Sequence, residues 1–134
     1  MNKSDILNAL KERVRTGGLG IAGTWPAVDP PDDLEWPWFE LQFVASQREG
    51  EALDGTVKRE VGRMSVTIVV EEGTGETAAN DYADDVADLF PQGLRIPITG
   101  GEISIRQQAD IRIGVRSSPD WRVPVIIGYV AVNT

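Results

Sequence analysis

Asp81, Asp84, Asp85 and Asp88 recur at spacings of three and four, which puts them on one stripe of a helix. Such carboxylates suit three tasks. They could ligate a hard divalent cation through oxygen, meet a basic partner surface, or form a lining that repels DNA. A plain solvated helix face would carry the same residues. The stripe has a cost, because like charges four residues apart destabilise a helix by roughly 0.2–0.5 kcal/mol per pair. Asp88 also sits at the end where the helix dipole disfavours negative charge. The pairs Glu71-Glu72 and Asp32-Asp33 read as loop charges.

Two glycine strings imitate phosphate-binding loops. Gly18-Leu19-Gly20-Ile21-Ala22-Gly23 matches G-x-G-x-x-G letter for letter. A dinucleotide site needs that string to follow a strand and open a helix. Here it follows a helical pattern and runs into Thr24-Trp25-Pro26, so it reads as a connector. Gly73-Thr74-Gly75 precedes a helix N-terminus, where anions can bind. Glu76 already supplies negative charge there, and no Lys or Arg follows closely. It reads as a strand-to-helix turn.

The chain has no cysteine and no histidine. Disulfides, thiol catalysis, zinc-finger sites and imidazole proton shuttles are therefore excluded. Carboxylate pairs for acid–base work would have to come from unrelated loops. We assign no catalytic, cofactor-binding or metal-ligating residue, and expect no enzyme activity and no cofactor. The net charge of -8 speaks against duplex-DNA binding, which depends on Lys and Arg neutralising phosphates. An acidic surface still suits a protein through which DNA passes without being gripped.

These side chains need elements to hold them. At 134 residues the chain is expected to form one domain, 1–134. The N-terminal Met-Asn-Lys-Ser-Asp lacks a signal-peptide pattern, and no apolar run is long enough to cross a membrane. Cytoplasmic synthesis without a membrane partner is the expectation. Ile6, Leu7, Leu10 and Val14 predict a helix over 4–15, with Ser4 as N-cap and Gly17-Gly18 as its stop. Residues 17–37, rich in Gly and Pro, form a long connection. Alternation predicts strands over 38–46 and 58–71. A helix over 76–90 buries Ala79, Tyr82, Ala83, Val86 and Phe90, and Pro91 ends it. A short edge strand over 94–98, a turn at Gly100-Gly101, a strand over 102–116 and a last strand over 121–132 complete the order. The expected fold class is α+β: a mainly antiparallel sheet of four to five strands with two helices packed on one face.

Three features point to partners. Residues 47–62 look like a polar arm projecting beyond the core, because Lys58, Glu60 and Gly62 continue the core phase without being apolar. Arg48, Glu49, Glu51, Leu53, Asp54 and Arg59 are its candidate contact residues. The last strand is apolar in both phases, with Ile126, Val130 and Val132 opposing Val123, Val125 and Ile127, so it needs cover on both sides. Either a second copy or the 17–37 connection could supply it. Trp36 and Trp38 stand two apart at a strand start and point the same way. They either pack internally or anchor an interface, where Trp is enriched. Arg106, Arg112 and Arg116 share the phase of Asp110. They form either an ion-pair surface between subunits or an ordinary solvated sheet face.

The ordered set resembles a known family. Trp36-Pro37-Trp38-Phe39-Glu40-Leu41-Gln42-Phe43 is similar to the proline-tryptophan approach to the first strand of small phage tail terminator and tail-completion proteins. Arg59-Glu60-Val61-Gly62-Arg63-Met64-Ser65-Val66-Thr67-Ile68-Val69-Val70 resembles their second strand. Gly73-Thr74-Gly75, leading into the helix from Ala78 to Phe90, looks like their turn and second helix, and Trp121 to Val132 fits their closing hairpin. The 17–35 connection shows the least likeness.

The resemblance implies a structural subunit in a virion tail, assembled in a bacterial cytoplasm. It implies a homohexameric ring at the head-proximal end of the tail tube. The ring would stop tube polymerisation and offer a joining surface to a head-tail connector or neck protein, with DNA passing through its lumen. In that frame the arm is the candidate for axial contact with the tail tube protein. Trp36, Trp38 and the last strand are candidates for lateral contact. A neck, head-completion or tube subunit is the alternative within the class. A small acidic metal-dependent enzyme or regulator is the alternative outside it.

Overall fold

The computed structural model describes residues 1–50 and 55–134. Helix α1 spans Lys3–Arg15 and buries Ile6, Leu10 and Val14, the stripe its spacing demands. Its cap is Asn2 and not Ser4. The Asn2 backbone is extended and its Oδ1 accepts from the Asp5 N–H at 2.9 Å, which leaves Ser4 inside the first turn. At the far end the Thr16 N–H and hydroxyl both donate to the Glu12 carbonyl, at 2.9 and 2.8 Å. Gly17 follows because space is short: a Cβ there would lie 2.5 Å from a Leu89 methyl.

Leu89 closes helix α2, Thr77–Leu89, which buries Ala79, Ala83 and Val86. Small residues let this helix approach the sheet closely. Arg13 ties the two helices together. It donates to the Leu89 carbonyl and lies 5.9 Å from the Phe90 ring centroid.

Among the described residues the sheet has eight strands, in the order β1-β2-β3-β8-β5-β4, with β6 and β7 also pairing β8. The ranges are β1 Ala22–Thr24, β2 Trp38–Gly50, β3 Lys58–Glu71, β4 Arg95–Ile98, β5 Gly101–Ser104, β6 Asp110–Ile111, β7 Val115–Ser117 and β8 Asp120–Asn133. The α+β class and the two helices match expectation. The strand number needs correction, and the sheet, mainly antiparallel as expected, is mixed because β1 runs parallel to β2, with Ala22 opposite Trp38. β1 lies in the supposedly irregular connection. It exists because Gly23 lets the chain cross the Phe39 ring, where a Cβ would fall 2.0 Å from the ring edge. Trp25 then meets Phe39 edge-on at 5.5 Å.

β8 organises the rest. One edge pairs β3 from Arg59–Val132 to Glu71–Asp120. The other edge is covered in turn by β5, β6 and β7. The single strand expected over 102–116 is thus three short pieces separated by loops. Ile103 and Ile105 are buried as expected, but Ile111, Ile113 and Val115 are exposed, Ile113 at 90%. Alternation persists in the sequence there, yet the pieces lie at the rim of β8, where α2 reaches only the edge of β6 and leaves Ile111, Ile113 and Val115 open.

The core lies between the helices and one sheet face. Phe39, Leu41, Met64, Val66, Ile68, Val123, Val125, Ile127 and Tyr129 meet the helix stripes there. Each large apolar side chain so buried stabilises the fold by about 1.5–3 kcal/mol.

Candidate functional site

The other sheet face is built from the opposite phase of the same strands. The middle of the 17–37 connection does not cover it: Trp25 packs into the helix-side core, and Trp25, Pro26 and Val28 line a hollow with α1 residues Asn8 and Lys11; only Trp36, at its end, reaches the outer face. The outer face has two distinct ends.

At one end Trp38, Val69 and Arg122 stand side by side across three strands. The Arg122 guanidinium lies 5.4 Å from the Trp38 ring centroid, and Val69 between them is fully buried. Arg122 also reaches Glu40 at 3.2 Å and Asp120 at 3.1 Å. The Trp36 indole N–H donates to Asp120 at 2.9 Å. Trp36 and Trp38 therefore do share a side, and a closed polar network holds both. Trp36 stays 42% exposed.

The other end is a groove of about 440 Å³. β3 supplies Arg59 and Arg63 along one wall; the β5–β6 loop supplies Arg106, and Arg112 follows β6. Ile126, Gly128 and Val130 on β8 form the floor. A Cβ built on Gly128 would meet nothing within 4 Å, so the groove is open above it. Five residues singled out from sequence, Arg59, Arg106, Arg112, Ile126 and Val130, thus come together. Arg63 was not singled out. Its signal was its place in the outer phase of β3, two residues beyond Val61.

Charge in the groove is only partly balanced. Arg112 pairs with Asp110 at 2.7 Å and Arg59 with Glu49 at 3.8 Å. Arg106 contacts the Ser104 hydroxyl at 3.3 Å. Arg63 is exposed and makes no ion pair with a described residue. Arg116 does not join the groove, since it pairs with Glu72 at 2.9 Å. The expectation that Arg106, Arg112 and Arg116 share one strand face is corrected accordingly, because no continuous strand carries them.

The arm also differs from expectation. β2 is exposed from Gln47 to Gly50, and pairs β3 as far as Gly50–Lys58. Arg48, Glu49 and Arg59 lie on that hairpin; Glu51, Leu53 and Asp54 lie outside the described residues. The β3 half, however, belongs to the body. Glu60 is 3% exposed, accepts from the Ser46 hydroxyl at 2.7 Å and faces Lys3 at 3.7 Å. Gly62 is needed beneath Tyr129, whose hydroxyl would lie 2.4 Å from an added Cβ. The polar phase from Glu60 to Gly62 is thus a buried polar seam and not a projection. Burial pushes the Tyr129 hydroxyl above its ordinary value; nearby Ser46 opposes the shift and the Glu60 charge adds to it.

On the helix side, Asp81, Asp84, Asp85 and Asp88 are all exposed. No ion pair among the described residues involves them. No group of three or more acidic side chains among the described residues is placed to hold a metal.

The fold is an α+β sheet covered by helices on one face, with an arginine groove on the other. The chain belongs to the phage tail terminator protein family, whose model matches residues 5–129. This is a structural family. No curated protein matches the chain. Among solved structures, one chain is 23% identical, with a TM-score of 0.66 over 98% of this chain and 96% of that one. A chain from the virion of a native gene transfer agent particle is 16% identical, with a TM-score of 0.65 over the same shares. At these identities the likeness is one of fold.

Proposed function

We propose that six copies of this chain form a ring at the head-proximal end of a phage tail tube. The ring stops tube polymerisation and presents the joining surface for a head-tail connector or neck protein. The family match over residues 5–129 carries this reading. The mechanism is geometric: one ring face complements the last tube ring, and the opposite face accepts no further tube subunit. DNA passes through the lumen without sequence recognition, in keeping with a net charge of -8. The β2–β3 hairpin, exposed over 47–50 on its β2 side, is the axial contact with the tail tube protein. Trp36 is an exposed lateral contact.

Electron microscopy of tails assembled with and without the protein tests the role. Overlong tubes are expected in its absence. Tubes of unaltered length would overturn termination and favour a neck or tube position. Deletion of 49–56 tests the axial contact, because it spares the buried Glu60 seam. Folding is expected to persist while length control is lost; normal tails from that deletion would remove the hairpin from the mechanism.

A further inference from the structure

We infer that the arginine groove on the outer sheet face is the seat for helix α2 of a second copy, with the groove arginines facing the neighbour's Asp81, Asp84, Asp85 and Asp88. The inference rests on the proposed ring and adds the chemistry of its lateral contact. Two observations on opposite sides of the sheet carry it.

The first is the groove. A chain with 21 acidic and 13 basic residues gathers four arginines from separate segments around one opening. Only Asp110 and Glu49 answer them among the described residues. Arg63 and Arg106 make no ion pair with a described residue, and a docked acidic surface supplies the missing carboxylates. The floor at Gly128 is open and apolar residues flank it, which gives an incoming helix a surface to rest on.

The second is the stripe. Its four carboxylates are exposed, unpaired with any described residue and at like-charge spacings that weaken the isolated helix. Their side of α2 faces away from Ala79, Ala83 and Val86, with Asp84 and Asp88 beside the Gln108–Ile111 segment. Groove and stripe are therefore unlike surfaces of one subunit, divided by that segment. A contact joining unlike surfaces is head-to-tail, and repeating it closes a ring when the rotation permits. The same complementarity disfavours face-to-face pairing, since groove would meet groove and stripe would meet stripe.

Charge reversal tests this on the full chain. One variant carries Arg63→Glu and Arg106→Glu, a second Asp81→Lys and Asp85→Lys, and a third all four. All these positions are exposed, and thermal melting verifies that each variant folds. Association is read by analytical ultracentrifugation, alone and with assembled tail tubes. Either one-sided variant should associate at least about tenfold more weakly than the wild type, given the coupling of close interfacial charges. The four-fold variant should recover most of that loss. An equimolar mixture of the two one-sided variants should also recover it, because alternating copies then present opposite charges at every contact.

Wild-type assembly that persists in the one-sided variants would overturn this contact and leave the ring intact. A wild type that stays monomeric with and without tubes would overturn the ring as well. Loss of duplex-DNA binding in the groove variant, with self-association unchanged, would assign the groove to a polyanion instead.

Discussion

The two ends of the outer sheet face use arginine differently. At the tryptophan end a single Arg122 serves two carboxylates, Glu40 and Asp120, and lies against the Trp38 ring. Both of its terminal nitrogens are engaged, and Val69 is sealed beneath it. At the groove end Arg63 and Arg106 make no ion pair with a described residue, above an open Gly128. The first arrangement completes a subunit and the second leaves charge for something else to complete. An arginine therefore reports on folding or on partnership according to how its carboxylates are supplied, and not by its exposure alone.

Backbone substitutions at the groove give the largest expected effect. Gly62→Ala places a Cβ 2.4 Å from the Tyr129 hydroxyl and 2.6 Å from the Ala45 carbonyl oxygen. One of those atoms is backbone and cannot swing aside. We expect a loss of about 3 kcal/mol in urea unfolding, the upper part of the overpacking range. Gly128→Ala, on the groove floor, meets nothing and should change stability by less than about 0.5 kcal/mol. Equal costs for the two glycines would show that the floor is not open as described.

Arg122→Ala comes next. It takes the cationic partner from Glu40 and Asp120, whose side chains are 29% and 18% exposed and keep only Gln42 and Trp36, and uncovers Val69. A loss of about 1–3 kcal/mol is expected, the range for a polar group left without its partner. Trp36 fluorescence should change with it, because Asp120 holds the indole N–H. A neutral result would remove the distinction between the two ends.

Which parts of this were legible in the sequence follows from where burial is two-sided and where it is not. Helices α1 and α2 were legible because Ile6, Leu10 and Val14, and then Ala79, Ala83 and Val86, repeat at helical spacing. β2, β3 and β8 were legible from alternation. The break-up of 102–116 was not, because Ile111, Ile113 and Val115 keep the alternating pattern on a rim where they stay exposed. β1 was hidden because a three-residue parallel strand has no periodicity of its own. For the site, Arg59, Arg106, Arg112, Ile126 and Val130 were named from pattern, but their convergence depends on β8 pairing β3 on one edge and short strands on the other. Glu60 and Gly62 looked like an arm because polarity in the core phase suggests projection. A buried carboxylate held by Ser46 and Lys3 has the same signature in sequence.

Tyr129→Phe separates the buried seam from the groove above it, with a smaller effect. The hydroxyl makes no hydrogen bond of normal geometry, so its removal should alter neutral-pH stability by less than about 1 kcal/mol. Its effect belongs at high pH. Burial raises the folded-state value above 10.0, so an unfolded chain releases this proton first. The contribution is intact below about pH 10 and is lost as pH rises through the raised folded-state value. Thermal melts across that window should therefore fall more steeply for the wild type than for Tyr129→Phe. Parallel slopes would mean that the hydroxyl is not sequestered.

The smallest expected effect on folding is also the sharpest test of the contrast. Arg63 lies on the groove wall, is exposed, and makes no ion pair with a described residue. Arg63→Ala should shift stability by less than about 0.5 kcal/mol, as for surface positions without a specific partner. Any change should be toward greater stability of the isolated subunit, since repulsion from Arg106 across the opening is relieved. Chemical unfolding of Arg63→Ala beside Arg122→Ala puts the two ends on one scale. A large loss for Arg63→Ala would mean that its guanidinium is already engaged within the subunit, and the groove would then be as closed as the tryptophan end. A negligible loss leaves its charge free to act only between molecules.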